Sequence, residues 1–176
     1  TSTVQKIITN AKASLLMLID ISGSMTGEKL RLAKKAAKKA ALTATGEFTE
    51  ISILAFEGNC SNPISRQLDF TLNLTKIKNF IDSLQPGGGT PLGNALKQAN
   101  HYLSKNKAKS STTQMVLLLA DGDDNCKNVN SVMNELKAKG IIFRHETVGL
   151  GIKTNSPASS DLKKIAIKSG GKYHHT

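Results

Sequence analysis

Leu15-Leu16-Met17-Leu18-Ile19-Asp20-Ile21-Ser22-Gly23-Ser24-Met25 is the stretch on which the reading of the chain turns. A short apolar run of this kind, bounded by polar residues, predicts a strand covered on both faces rather than one alternating between core and water. The run stops at a carboxylate. An extended backbone beyond it points Asp20, Ser22 and Ser24 the same way, and a turn at Gly23 gathers one carboxylate and two hydroxyls around a single point.

The same pattern recurs downstream. Gln114 to Ala120 is a second apolar run that ends in an aspartate, Asp121, followed by Gly122. Between the two runs lies Glu28 to Ala44, with Leu30, Ala33, Ala37, Ala40 and Ala44 at helical spacing and lysines on the other side. Glu50 to Phe56 and Gln67 to Leu72 read as two strands joined by a polar loop containing Gly and Pro. Leu74 to Leu84 reads as a helix with Ile77, Phe80, Ile81 and Leu84 on one face. Gly87-Gly88-Gly89-Thr90-Pro91 interrupts the periodicity, and Leu92 to Ser104 starts another helix with Pro91 at a favourable first-turn position. Val129 to Lys139 is a helix stopped by Gly140, Ile141 to Val148 a strand, Ser160 to Lys168 a helix, and Lys172 onward a final partial strand.

Apolar strands alternating with amphipathic helices predict an α/β fold, an open and mostly parallel sheet with helices on both faces. The Glu50–Leu72 hairpin adds one antiparallel edge strand. Ligands of such sheets bind beyond the carboxyl ends of the strands, where strand order reverses. Asp20 and Asp121 stand at two such ends, and Thr90 adds a hydroxyl from a Gly-rich loop opening a helix. Two carboxylates and three hydroxyls, without Cys or His, form a hard-oxygen donor set that suits Mg²⁺, with Mn²⁺ or Ca²⁺ as substitutes, and argues against zinc. Neutral hydroxyls leave such an ion electrophilic, able to accept a carboxylate from a partner. Two plainer readings stand beside this one: Asp20, Ser22 and Ser24 as a turn and helix cap, and Thr90 as the cap of the helix it precedes. Asp123 and Asp124 read as a solvated loop, and His101 and His145 as isolated surface or packing residues.

Composition narrows the function classes. The chain has 176 residues, the size of one domain, and no internal repeat or long linker divides it. Apolar runs of five or six residues exclude a spanning helix, which needs about 20. Lys plus Arg is 24 against 13 Asp plus Glu, a formal net charge of +11. That permits attraction to nucleic acid or other polyanions, but the basic residues are dispersed over several helices, and seven aromatics with no Trp make a poor base-stacking surface. Arg31, Lys34, Lys35, Lys38 and Lys39 read as an exposed helix flank. A metal-dependent phosphoryl-transfer enzyme is a further alternative, since carboxylates with Mg²⁺ also serve that chemistry. Neither a nucleophile elbow nor a Walker phosphate loop is present to support it. Cys60 and Cys126 are too far apart for a Cys-x-x-Cys motif and leave one bridge or two free thiols open.

Asp20-Ile21-Ser22-Gly23-Ser24-Met25, Gly89-Thr90-Pro91-Leu92 and Ala120-Asp121-Gly122 resemble, in that order, the three loops of a von Willebrand factor type A domain. The resemblance runs from about Ser14 to the end, with residues 1–13 as an N-terminal extension to a domain over 14–176. It implies a Rossmann-like, doubly wound six-stranded sheet in order 3-2-1-4-5-6 with strand 3 antiparallel. It also implies a metal-ion-dependent adhesion site of Asp20, Ser22, Ser24, Thr90 and Asp121, and a non-enzymatic module of a larger protein that binds a protein ligand through an acidic side chain. Ala120 departs from the Thr that many members carry, at a position that is not a ligand. In the implied strand order the loops holding Cys60 and Cys126 flank the first strand on one edge, so the two cysteines form a disulfide, as the similar cysteines of some bacterial members imply. A bridge favours an extracytoplasmic, cell-surface or secreted setting.

Overall fold

The computed structural model describes residues 11–107 and 113–176; the first ten residues of the expected N-terminal extension lie outside that range. Six strands form one sheet, β1 (Ala13–Asp20), β2 (Thr49–Asn59), β3 (Asn62–Thr71), β4 (Thr113–Ala120), β5 (Arg144–Gly149) and β6 (Tyr173–His175). Their order is β3-β2-β1-β4-β5-β6, antiparallel only between β2 and β3, as the resemblance implied. Five helices are described, α1 (Glu28–Gly46), α2 (Leu74–Asp82), α3 (Leu92–Asn106), α4 (Val129–Ala138) and α5 (Pro157–Lys168).

β1 lies between β2 and β4, and every residue from Ser14 to Asp20 is buried. Strand alternation splits its side chains between two cores. Leu16 and Leu18 pack with Leu54 and Phe56 of β2, Leu118 of β4 and the inner faces of α3, α4 and α5. Leu15, Met17 and Ile19 pack with Ile51 and Ile53 of β2 and with α1 and α2 on the other side. A strand with no wet face has to be apolar throughout, which is why the run lacks a period of two.

Several boundaries differ from the sequence reading, each for a local reason. The β2–β3 connection is a tight turn at Cys60-Ser61 rather than a long loop, because both strands extend to Asn59 and Asn62. Pro63 is accommodated because β3 is an edge strand, where a missing donor is tolerated. The strand expected from Ile141 begins at Arg144. Ile141, Ile142 and Phe143 instead pack half-buried against the core, and the Phe143 amide donates to Asn100 Oδ1 at 3.1 Å. On α1 the buried row is Leu30, Ala33, Ala37 and Ala41, steps of three and four residues that leave Ala40 and Ala44 at its margin. There α1 and the half-buried Met115, Leu117 and Val148 border a groove of about 880 Å³ that no candidate site residue lines.

His145 is fully buried on β5 and is locked as a neutral ring: Nδ1–H donates to the Phe143 carbonyl at 2.7 Å and Nε2 accepts from Asn100 Nδ2 at 3.1 Å. Burial lowers its pKa from 6.5 to about 4. The unfolded chain therefore takes up a proton near pH 6.5 that the folded protein refuses until about pH 4, so stability is lost as pH falls through that window. The loss from this one ring is on the order of 3 kcal/mol. Denaturant unfolding at pH 7, 5.5 and 4.5 is expected to show this slope, and His145→Gln to flatten it.

Candidate metal centre

The site is built on the carboxyl edge of the sheet, where β1 and β4 end. Asp20 is fully buried, and both of its oxygens are engaged by backbone: the Ser22 amide donates to Oδ1 at 2.8 Å and the Asp121 amide approaches Oδ2 at 3.4 Å. Asp20 thus joins the two strand ends. Burial pushes its carboxyl above the ordinary carboxylate range; the Ser22 hydrogen bond opposes this and the charge of Asp121 reinforces it. Ser22 Oγ and Ser24 Oγ lie 3.1 Å apart, with Ser22 buried and Ser24 exposed. Gly23–Met25 forms one 3₁₀ turn without a side-chain cap, so the two hydroxyls are not spent on capping.

Asp121 is the other buried acid. Its Oδ2 lies 3.3 Å from the Lys29 ammonium of α1, whereas its Oδ1 is buried with no hydrogen-bond partner among the described residues. Two buried carboxylates thus lie together with a single ammonium, which contacts Asp121, and one carboxylate oxygen lacks a partner among the described residues. A divalent cation would satisfy that oxygen and leave one positive charge in excess for an anionic ligand. Among the described residues no three His, Cys, Asp or Glu side chains gather as metal ligands. The candidate set has two carboxylates, and its other donors are hydroxyls.

Thr90 is buried in the Gly87–Pro91 segment, which backbone hydrogen bonds tie to every loop around it. Gly87 N–H donates to the Ile21 carbonyl and Gly23 N–H to the Gly88 carbonyl, both at 2.9 Å, joining the segment to the β1 loop. Gly58 N–H of the hairpin donates to the Gly89 carbonyl at 3.2 Å. From the β4 side, Asn125 Oδ1 accepts the Thr90 amide at 2.6 Å while the Asn125 amide donates to the Thr90 carbonyl at 2.8 Å. The cap of α3 is Pro91, with no side-chain cap bond, so Thr90 does not serve as the cap that the plainer reading gave it.

Cys60 and Cys126 are joined in a disulfide, with Cα atoms 5.8 Å apart and a separation of 66 positions in sequence. In the chain-entropy picture, closing a loop of that length stabilises by about 4 kcal/mol. Asp124 is a correction to the sequence reading. It is half-buried, and its carboxylate accepts the amides of Gly93 at 3.1 Å, Cys126 at 3.0 Å and Asn128 at 3.2 Å. Negative charge is thereby placed at the starts of α3 and α4, where helix dipoles favour it. Asp123 is exposed, as expected.

Sequence reasoning missed Lys29, Asn125 and this use of Asp124. Only Lys29 left a trace, as a cation in the first turn of a helix that follows the Ser-Gly-Ser turn. The basic flank of α1 is partly neutralised in place. Lys38 pairs with Asp82 at 2.8 Å, Lys34 donates to the Asp82 carbonyl at 3.1 Å, and Arg31 pairs with Glu28.

These features define a doubly wound α/β domain with an oxygen-rich crevice at the carboxyl edge of its parallel strands. The chain belongs to the von Willebrand factor type A domain family, whose sequence model matches residues 14–176. It is 25% identical over 182 residues to the magnesium-chelatase 67 kDa subunit of Chlorobaculum tepidum, covering 91% of this chain and 28% of that protein. It is 26% identical over 166 residues to mouse inter alpha-trypsin inhibitor heavy chain 4, covering 90% and 17%. The chain thus spans less than a third of these relatives. In fold it is similar to the vWF domain of the type V pili tip protein Mfa5 from Porphyromonas gingivalis, with a TM-score of 0.74, 13% identity, and 95% and 90% of the two chains covered.

The tight glycine segment gives a test of the loop packing. A Cβ on Gly88 would lie 2.6 Å from Glu57 Oε2 and 2.9 Å from Gly58 N, at a φ of +72°. Gly27 has a φ of +84° and nothing within 4 Å. Gly27→Ala is expected to cost about 1–3 kcal/mol from backbone strain alone, since its ψ of −128° lies in a region reserved for glycine, and Gly88→Ala more than Gly27→Ala, because collision with Glu57 and Gly58 adds to the strain. Thermal unfolding of the two variants distinguishes these outcomes.

Proposed function

We propose that the domain is a metal-dependent protein-binding module of the adhesion type. Asp20, Ser22, Ser24, Thr90 and Asp121 would hold one Mg²⁺, with Mn²⁺ or Ca²⁺ as substitutes. The bound ion supplies an electrophilic position that a carboxylate of a protein partner completes. The observation that carries this reading is Asp121 Oδ1, buried and unpartnered beside a second buried carboxylate. The hydroxyls free of capping duty are the second support, since neutral donors preserve the ion's appetite for an anionic ligand.

Membership of the family and the likeness to a pilus tip domain support binding over catalysis. The site gathers acceptors and hydroxyls, while His145, a potential general base, is locked by Asn100 and Phe143. The magnesium-chelatase relative matches over less than a third of its length, and its activity is its own. The disulfide supports a surface or secreted setting, since such bridges persist in oxidising compartments. No helix among the described residues is long and apolar enough to cross a membrane.

Titration with Mn²⁺ is expected to reveal one site, weakened roughly tenfold or more by Asp20→Asn, Asp121→Asn or Ser22→Ala. Wild-type affinity in both aspartate variants overturns the assignment. Acidic protein partners captured in Mg²⁺ are expected to be released by EDTA, and retention through EDTA argues against a metal-bridged contact.

A further inference from the structure

We infer that the Cys60–Cys126 disulfide is a positioning element for Thr90, closing a covalent and hydrogen-bonded ring around its peptide. Its bearing on metal affinity rests on the function proposed above; the mechanical part does not.

The ring can be traced atom by atom. Gly58 N–H holds the Gly89 carbonyl, the acceptor immediately before Thr90. Two residues beyond Gly58 is Cys60, bonded to Cys126. One residue back from Cys126 is Asn125, which grips Thr90 from the other side, accepting its amide at 2.6 Å and donating to its carbonyl at 2.8 Å. The clearance inside the ring is small: a Cβ on Gly89 would lie 2.7 Å from the Gly58 carbonyl oxygen and 2.9 Å from Asn125 Oδ1. A second set of bonds braces the same junction. Asn94 Nδ2 donates to the Cys60 carbonyl at 2.6 Å, and Asn128 Nδ2 donates to Asn94 Oδ1 at 2.7 Å.

Without the sulfur bridge, the tip of the β2–β3 hairpin and the loop after β4 are linked only through short polar contacts at the protein surface. Asn59, Ser61 and Asn125 are exposed there, and water competes for such bonds. Thr90 is then held firmly only from the preceding side, where Gly87 and Gly88 bond the β1 loop. Asp20 and Ser22 do not depend on the ring, since they hang from the end of the buried central strand. The disulfide therefore governs one donor of the proposed set and leaves the others in place.

Two measurements on Cys60→Ser/Cys126→Ser test this, with Cys60→Ala/Cys126→Val repeating them should the serine pair not fold. The first needs no metal. Amide hydrogen exchange at Thr90 and Gly58, under conditions where the variant stays folded, is expected to accelerate at least tenfold and to remain faster than that of Leu18 and Leu118, whose exchange reports the global loss of stability; exchange at Thr90 that is unchanged, or that rises only to the rate of Leu18 and Leu118, overturns the inference. The second is a cycle of Mn²⁺ affinities. Thr90→Ala is expected to weaken binding roughly tenfold with the disulfide present and less than threefold without it. Ser22→Ala is expected to cost the same factor in both backgrounds. An equal cost of Thr90→Ala in both backgrounds overturns the positioning role. A parent protein that binds no Mn²⁺ while its Thr90 exchange responds to the disulfide overturns the metal reading and leaves the clamp standing.

Discussion

A carboxylate buried at the end of the central strand is the constraint around which the rest of the molecule is arranged. Asp20 has no exposed surface and, among the described residues, no cation in hydrogen-bonding contact. Such a group is costly unless its oxygens are met by donors. The donors are the amides of Ser22 and Asp121, which fix the turn after β1 and bring the end of β4 against it. One buried charge thus sets the relation of two loops that lie 101 residues apart in sequence.

The glycine segment completes the crevice by a different principle, close approach of backbone to backbone. Gly87, Gly88 and Gly89 contribute amides and carbonyls to Ile21, Gly23 and Gly58, and Gly88 and Gly89 lie this close to Gly58 because no Cβ stands in the way. Asp124 fills the complementary role on the far side, taking three amides from two helix starts and the loop between them. Loops built this way are held by one another as well as by the sheet. Lys29 and Asp121 belong to this mutual arrangement, with the ammonium offsetting one of the two buried charges and leaving the second to the proposed cation.

Below the rim, the molecule is conventional in its energetics. Two apolar cores on either side of β1 supply the stabilisation, and the buried Asn100–His145 pair ties α3 to β5 on the side of the core that α3 covers. This division lets the carboxyl edge carry unsatisfied and closely packed groups without endangering the fold.

Much of this was legible in the residues themselves. The apolar runs before Asp20 and Asp121, the helical spacing of Leu30, Ala33 and Ala37, and the break at Gly87–Pro91 identified a parallel α/β sheet and the three loops of its site, because periodicity and glycine content are local properties. The full strand order and the pairing of Cys60 with Cys126 came from likeness to a family; spacing alone left the thiols open. Other features were decided only by the folded chain. The start of β5 moved because Phe143 found a partner in Asn100, on a helix 43 residues away. Asp124 changed from solvated loop to shared acceptor because α3 and α4 begin beside each other. Lys29 met Asp121 across 92 residues. Local chemistry is written in short stretches of sequence, but which amide faces which carboxylate depends on where strands end in space, and packing sets that.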